Sequence, residues 1–530
     1  MSLNIVFGKN MLDIVTTGMY KNSLVSYREY IQNSCDSIDQ AIKMGLGEKS
    51  DFAVQIKIDS HKRTIKIYDN GRGIPRKEFF ETLIGNVANS NKIKGEDKGF
   101  RGIGRLCGLA YCEKLIFSST AKGENIKSMM TFDASRMREE LSKPDKATFG
   151  DVLSKIVSVN EEKENEDLHY FEVDLIGVNA SSVLLNSEEV VDYLSFVAPV
   201  KYKSSFKFGN EIEEYALNHG FTIDTYRILV NNIDVFKEYN YKIFNPSKEV
   251  IDKIFKVEFK EFTDSNNNVI AWMWYGLSRF EGALAPKANP MRGLRIRQGN
   301  IQIGDSTTVR PFFREEGKGN SYFIGEIFTV DKNLVPNAQR DYFNENGARE
   351  MFENSITEFF HRELYSLYYA ASKTRSLHKE VLAFHKKKYE YEKKQQLGFV
   401  NETEQQKWET DLHLAEQREK ESAEKIKKLY DDIRTDTSSI AEVQREIQEK
   451  ASRDLKKFRE KIKPKQTEPK PIPTKKTTQK VKKENYFTAK LSRLNRSERT
   501  LVQNIITMLQ EITTPDVVIK LQSAIEKEYK

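Results

Sequence analysis

The sequence predicts an α/β protein in three parts: a two-layer α/β sandwich over residues 1–195, a second α/β domain over 196–372, and a helical region beyond. Three observations predict this. Short apolar runs alternate with period two, as at Val54, Ile56, Ile58 and again at Ile65, Ile67, whereas residues 24–44 repeat at helical spacing. Residues 375–462 are highly charged and poor in glycine and proline, which favours long helices. Charged residues make up 31% of the chain and mean hydropathy is −0.62, too polar for one compact body of this length; much of that polarity lies in the last third.

In the first part, the spacing predicts helices around 24–44 and 102–111 and strands at 53–59, 64–69, 114–119 and 170–176. The first two strands are joined by a turn around Asp59-Ser60-His61-Lys62, and helices on one face of a mostly antiparallel sheet complete two layers. Residues 128–167 are a polar, acidic insertion. The second part carries strands near 225–230, 271–276 and 293–304. In the region 373–462 the positions Ile426, Leu429, Ile433, Ile440, Val443, Ile447, Ala451, Leu455, Phe458 and Ile462 form a seam of threes and fours. Asp436-Thr437-Ser438 interrupts it, and Ser439-Ile440-Ala441-Glu442 reads as a capping box, so a parallel coiled-coil dimer and a folded-back hairpin both fit. Residues 463–483 mix prolines with lysines and read as a disordered linker. Two helical patterns around Thr514-Pro515-Asp516 make 484–530 a small helical module.

A net charge of +7 over 530 residues argues for a nucleic-acid partner only if the charge is localised. Cys35, Cys107 and Cys112 form neither a disulfide framework nor a paired Cys-x-x-Cys zinc pattern, which fits a reducing cytoplasm. No signal segment opens the chain and no apolar run is long enough for a membrane span, so no membrane partner is expected.

Three segments carry chemistry. In Arg28-Glu29-Tyr30-Ile31-Gln32-Asn33-Ser34-Cys35-Asp36, the residues Glu29, Asn33 and Asp36 share one helix face, and an acid and an amide one turn apart suit water activation and Mg²⁺ binding. The strand at 64–69 ends in Asp69-Asn70-Gly71-Arg72-Gly73-Ile74, where glycines let a flat ring approach the Asp69 carboxylate. Asn89-Ser90-Asn91-Lys92 precedes Lys98-Gly99-Phe100-Arg101-Gly102-Ile103-Gly104, a Gly-x-x-Gly-x-Gly run that can present backbone N–H groups to phosphates. Alone, that glycine run fits an ordinary surface loop; third in this order, it completes an ATP site.

The three segments resemble the ATP-binding (Bergerat) motifs of the GHKL superfamily, which includes heat-shock ninety chaperones, MutL and MORC proteins and type II topoisomerase subunits. The resemblance implies that Glu29 is the general base, Asn33 holds Mg²⁺, and Asp69 accepts the adenine amino group, with Gly71, Gly73 and Ile74 around the base. Ser90 and Lys92 would lie in a lid, and Gly99, Phe100, Arg101, Gly102, Ile103 and Gly104 would wrap the triphosphate. For Asp36 a nucleotide role stands beside a solvated or Arg105-paired acid. Where many members place a Gly-Thr pair near adenine, this chain reads Leu168-His169-Tyr170, and His169 reads as an ordinary strand residue. In many members a segment such as 11–27 crosses to the partner subunit.

Pro336-Asn337-x-x-Arg340-Asp341 is similar to a turn in the middle domain of heat-shock ninety chaperones, which implies that Arg340 reaches the γ-phosphate. Arg295 and Arg297 share a strand face, either a basic stripe toward phosphate or nucleic acid or a solvated face; Lys475, Lys476, Lys482 and Lys483 are further candidate nucleic-acid contacts. The expected function is that of an ATP-hydrolysing clamp, an ATP-dependent homodimer acting on a protein client or on DNA. The resemblance extends by association to bacterial defence proteins. A nucleotide-sensing coiled-coil scaffold with little turnover is the other reading.

Overall fold

A computed structural model describes residues 7–14, 16, 22–85, 104–462 and 487–530. The chain divides into two compact units, Met1–Tyr365 and Ser366–Lys530.

The first unit opens with the short turn α1 (Asn10–Asp13) and then α2 (Val25–Lys43), whose buried side includes Tyr27, Ile31, Cys35 and Ile38. Strands β1 (Ala53–Asp59) and β2 (Thr64–Asp69) follow as an antiparallel pair, Val54 opposite Asp69. Their alternation has the expected cause: Val54, Ile56, Ile65 and Ile67 turn inward against α2. After α3 (Arg76–Phe80), the chain re-enters at a 3₁₀ stretch, Gly104–Ala110, in place of the α-helix expected at 102–111. Two glycines, Gly104 and Gly108, lie in that stretch, and glycine is the weakest ordinary helix former.

The acidic insertion is ordered. β3 (Lys114–Thr120) pairs with β4 (Ile126–Asp133); α4 (Ala134–Ser142) and α5 (Phe149–Ile156) follow, and β5 (Val157–Lys163) returns beside β4. Asp133 caps α4 at the Arg136 amide, and Thr148 with Asp151 forms a capping box on α5. The insertion also seats the opening of the chain. The Lys9 amide donates to the Ala147 carbonyl (3.1 Å), and its buried ammonium reaches the Glu140 carbonyl (3.0 Å) and Asp145 Oδ1 (2.8 Å).

β6 (Tyr170–Ile176), α6 (Ser187–Val197) and α7 (Gly209–Asn218) come next, then β7 (Arg227–Val230) and β8 (Ile233–Asp234). The first sheet has the order β5-β4-β3-β6-β2-β1-β7-β8, antiparallel except where β7 lies parallel to β1. Its last two strands therefore come from beyond residue 195, where the sequence places the end of the first domain.

A hairpin of β9 (Lys242–Phe244) and β10 (Val250–Lys253) leads to a second sheet. This contains β11 (Lys256–Thr263), β12 (Val269–Leu277), β13 (Gly293–Gln298), β14 (Ile301–Ile303) and β15 (Ile324–Thr329) in the order β11-β12-β15-β13-β14, with α8 (Gly347–Phe359) after it. Trp272, Trp274, Ile324 and Phe328 pack with Tyr202, Phe206 and Tyr239 in its core.

The second unit is helical: α9 (Tyr365–Leu397, most of whose length lies here), α10 (Glu402–Asp432), α11 (Ser439–Ile462), α12 (Arg496–Ile512) and α13 (Pro515–Tyr529). The seam read from Ile426 onward folds back on itself. Tyr430 donates to the Gln444 carbonyl (3.0 Å) and Arg445 to the Ile433 carbonyl (2.9 Å), so the interruption is the bend of a hairpin. The residue that supplies the cap is Ser438, whose Oγ accepts from the Ala441 amide at 3.3 Å, one position before the expected Ser439. Val400, Leu491, Ile506 and Val518 form the core of a separate small module with α12 and α13. Among the described residues no helix is long and apolar enough to cross a membrane.

Candidate nucleotide site

Asp69 ends β2 and is 1% exposed. Its Oδ1 accepts the Gly71 amide (3.0 Å), and the glycines around it are required by close approach. A Cβ on Gly71 would stand 2.3 Å from Ser37 Oγ on α2, and Gly73 has φ +68° with the Thr120 carbonyl 2.0 Å from where its Cβ would be. Neighbouring strands fix this turn. Ser119 Oγ accepts the Ile74 amide (2.7 Å) and donates to the Tyr170 carbonyl (2.7 Å). His169 is more than an ordinary strand residue: its Nδ1 lies 2.6 Å from the Gly71 carbonyl, and since a carbonyl only accepts, Nδ1 carries the proton. Thr120 is fully buried, and its hydroxyl has no hydrogen-bond partner among the described residues. Motif spacing did not reveal Ser119, Thr120 or His169, because the first two reach the turn from β3 and the third from the entry to β6, both distant in sequence.

Glu29, Asn33 and Asp36 lie along α2. Asn33 is half-buried, and Asp36 is 3% exposed, which removes its solvated-face reading. Gly104, the last glycine of the predicted phosphate loop, lies directly against the Glu29 carboxylate: a Cβ there would stand 2.4 Å from Glu29 Oε2. Tyr30 anchors the exit of that loop, donating to the Arg105 carbonyl (3.1 Å) and accepting the Gly108 amide (3.0 Å), and its burial raises the phenol pKa well above the ordinary value. The remaining predicted contacts, Ser90, Lys92, Gly99, Phe100, Arg101, Gly102 and Ile103, lie outside the described residues, as do Lys475, Lys476, Lys482 and Lys483.

Arg28, which sequence reasoning passed over, joins this end of the site to the second sheet. One guanidinium nitrogen stands 3.1 Å from Glu29 Oε1 and also donates to the Gln339 carbonyl (3.1 Å). Arg340 is the next residue, 9% exposed and held at φ +54°, with its carbonyl accepting the Gly304 amide (2.8 Å). A cavity of about 480 Å³ lies here, lined by Arg28, Phe196, Arg295, Gln339, Arg340 and Asp341 among others.

Arg295 and Arg297 form no external basic stripe. Arg295 is buried, stacked on Phe196 at 4.4 Å and donating to Gln302 Oε1 (3.2 Å) and the Pro290 carbonyl (2.6 Å). Arg297 is fully buried and donates to Glu326 Oε1 (2.7 Å). The reason is packing. Side chains of β13 leave through the sheet's faces, and those faces are covered: Phe196 of α6 lies over Arg295, and Tyr202, Lys237 and Tyr239 gather round the Glu326 carboxylate that holds Arg297, so neither arginine forms part of an exposed surface.

A helix carrying Glu29, Asn33 and Asp36 across a sheet whose second strand ends in the Asp69 turn defines a GHKL-type nucleotide-binding domain. Residues 22–162 match the family model described as "Histidine kinase-, DNA gyrase B-, and HSP90-like ATPase", and the protein carries an ATPase domain of that superfamily. Similar curated proteins include several named chaperone protein HtpG. That of Clostridium perfringens is 29% identical over 228 residues, 39% of this chain and 35% of the relative. The Natranaerobius thermophilus protein is 35% identical over 91 residues, 16% of this chain and 14% of the relative. The Wigglesworthia glossinidia brevipalpis protein is 22% identical over 362 residues, 63% of this chain and 49% of the relative. The chain thus spans 35% of the length of the first of these.

The described donor set fits ATP: a buried carboxylate and an orphan hydroxyl beside the glycine turn, and an acid and an amide on α2 with Gly104 against the acid. Among the described residues there is no group of three histidine, cysteine, aspartate or glutamate side chains placed to hold a metal ion.

Proposed function

We propose that this protein binds and hydrolyses ATP and uses the nucleotide to close a homodimeric clamp on a protein client, in the manner of a chaperone. The observation that carries the reading is the meeting at Glu29: its carboxylate touches Gly104 on one side and Arg28 on the other, and Arg28 also holds the backbone beside Arg340. Asp69 accepts the adenine amino group, and Gly71 and Gly73 admit the ring. Asn33 would hold Mg²⁺, which when bound screens the phosphate charge. Glu29 orients the attacking water and takes its proton. Arg340 places a guanidinium at the γ-phosphate, a group it can bind through two parallel hydrogen bonds.

The client reading rests on the chaperone relatives, and three buried cysteines, none joined in a disulfide, suit a reducing cytoplasm. Closure is a population shift. Moving from about 1:99 to 99:1 requires ATP to favour the closed state by about 5.5 kcal/mol.

The test is steady-state hydrolysis together with the mass of the complex with and without ATP, for the native chain and Glu29→Ala. The variant should keep ATP, lose turnover by about a hundred- to ten-thousand-fold, and accumulate as a nucleotide-bound dimer. Unaltered hydrolysis removes Glu29 from catalysis. Native turnover no faster than that of the variant replaces the hydrolytic clamp by a nucleotide-sensing scaffold.

A further inference from the structure

The second unit holds a charge imbalance that ATP chemistry does not use. Residues 453–483 contain thirteen lysines and arginines against three acids, Asp454, Glu460 and Glu468. That excess is larger than the +7 of the whole chain, so the rest of the protein is net negative. The localisation on which a nucleic-acid partner depends is therefore met, at a place other than Arg295 and Arg297.

Part of this charge is displayed on a folded surface. Helices α9 and α11 run side by side and parallel: Gln444 donates to Thr374 Oγ1 (3.2 Å) near their beginnings, and further along Phe458 meets Tyr389 edge-on (6.2 Å) and Arg459 lies 3.3 Å from His385 Nε2. The inward side of α11 is fixed by its buried residues Ala441, Val443, Gln444 and Ile447. Outward it exposes Arg453, Lys456, Lys457, Arg459 and Lys461. Lys388 of α9 belongs to the same field. The His385 imidazole is pushed below its ordinary value by burial and then by Arg459 and Lys388 together, against a smaller opposing pull from Glu419.

None of these six cations forms an ion pair among the described residues, although cations elsewhere in the same unit do. Lys387 pairs with Asp411 (3.2 Å), Lys394 with Glu404 (2.8 Å) and Lys420 with Glu416 (2.9 Å). Glu449, Asp454 and Glu460 stand three or four residues from Arg453, Lys457 and Lys456, the spacing at which helical ion pairs form, yet among the described residues none of them closes a pair with these cations.

We propose that the outward face of the second half of α11, with Lys388 of α9, is a binding surface for the phosphate backbone of duplex nucleic acid. Lysines dominate it, which suits contact with phosphates as point charges and gives no means of reading base edges, so binding is independent of sequence. A membrane surface fits less well. A helix lying on lipid buries an apolar face among the headgroups, but the apolar side of α11 is turned inward and α11 has no large exposed hydrophobic residue.

The full chain without nucleotide, so that the outcome is independent of the ATPase reading, is titrated against a fluorescent duplex of mixed sequence at several salt concentrations. The comparison is the fourfold variant R453Q/K456Q/K457Q/R459Q. Each cation that neutralises a phosphate contributes about 0.9 to the slope of log affinity against log salt, so the variant should lose up to about 3.6 from that slope and bind tenfold or more weakly at about 0.1 M salt. In the native chain, chemical acetylation of Lys388, Lys456, Lys457 and Lys461 should be suppressed by the duplex while that of Lys420 is unchanged; this keeps the proposal testable if the variant fails to fold. The proposal is overturned by absence of duplex binding at about 50 mM salt, by an unchanged slope in the folded variant, by unprotected lysines, or by capture on phosphatidylserine vesicles in preference to duplex.

Discussion

In the eight-stranded sheet, Asp69 is buried at the end of β2 beside glycines that no side chain could replace, and Thr120 keeps a hydroxyl with no partner among the described residues. In the five-stranded sheet, Glu326 is equally buried, yet Arg297 (2.7 Å), Lys237 (2.9 Å), Tyr239 (3.1 Å) and Tyr202 all donate to it. The five-stranded sheet satisfies its buried carboxylate with its own side chains; the eight-stranded sheet leaves the Thr120 hydroxyl without a partner among the described residues. The same ingredient, a carboxylate out of water, is a keystone where protein donors surround it, and in the proposed function it is the adenine acceptor where glycines do.

Four substitutions test that contrast. Glu326→Gln should have the largest effect, since it strands two buried cations; a loss of about 3–5 kcal/mol in the stability of the first unit is expected, read by denaturant unfolding. The pH dependence follows. Burial alone would raise the Glu326 carboxyl, but Arg297 and Lys237 overcome it and hold it at about 2 against an ordinary 4.5. Its contribution is thus complete above about pH 4.5 and is lost as the pH falls toward about 2, and the variant should lose the part of the acid sensitivity that falls in this window. An unfolding midpoint unchanged at pH 7 would show the cluster to be ornamental.

Arg340→Ala should bind ATP almost normally and hydrolyse it about a hundred- to thousandfold more slowly, the usual effect of removing one donor from a developing anion. Native turnover in this variant would separate the two sheets functionally. Asp69→Asn should weaken ATP binding by about 1.5–3 kcal/mol, roughly ten- to two-hundredfold, while sparing stability, the reverse of the pattern at Glu326. Calorimetric titration with unchanged affinity would move the adenine pocket elsewhere. Thr120→Val is the mildest. Removing a buried unpartnered hydroxyl should leave stability equal or slightly higher, but weaken ATP by about tenfold if the hydroxyl serves the ligand. A variant destabilised with affinity intact would make Thr120 part of the framework.

Asp69, Gly71 and Gly73, and the Glu29-Asn33-Asp36 face, were legible because each is local: one turn, or one helix, encodes its own geometry. Ser119 and His169 were not, because they act on the glycine turn only through the pairing of β3 and β6 with each other and of β6 with β2. Arg295 and Arg297 illustrate the limit in another way. Alternation correctly put them on one face, but whether a strand face meets water depends on what the rest of the chain lays over it. Arg28 was hidden for a simpler reason: it adjoins Glu29, and its second contact, Gln339, lies in the second sheet's domain.

The parallel pairing of β7 with β1 sets an order of assembly during synthesis. Residues 53–56 leave the ribosome some 170 positions before 227–230, and until then β1 is an open edge, the kind of template that recruits foreign strands. A nascent chain stopped at residue 195 already contains the three motifs between Arg28 and Gly104 but keeps that edge uncovered. A truncated fragment should therefore stay soluble and bind ATP only if it continues through Asp234, the last residue of β8, and without Arg340 it should hydrolyse ATP slowly.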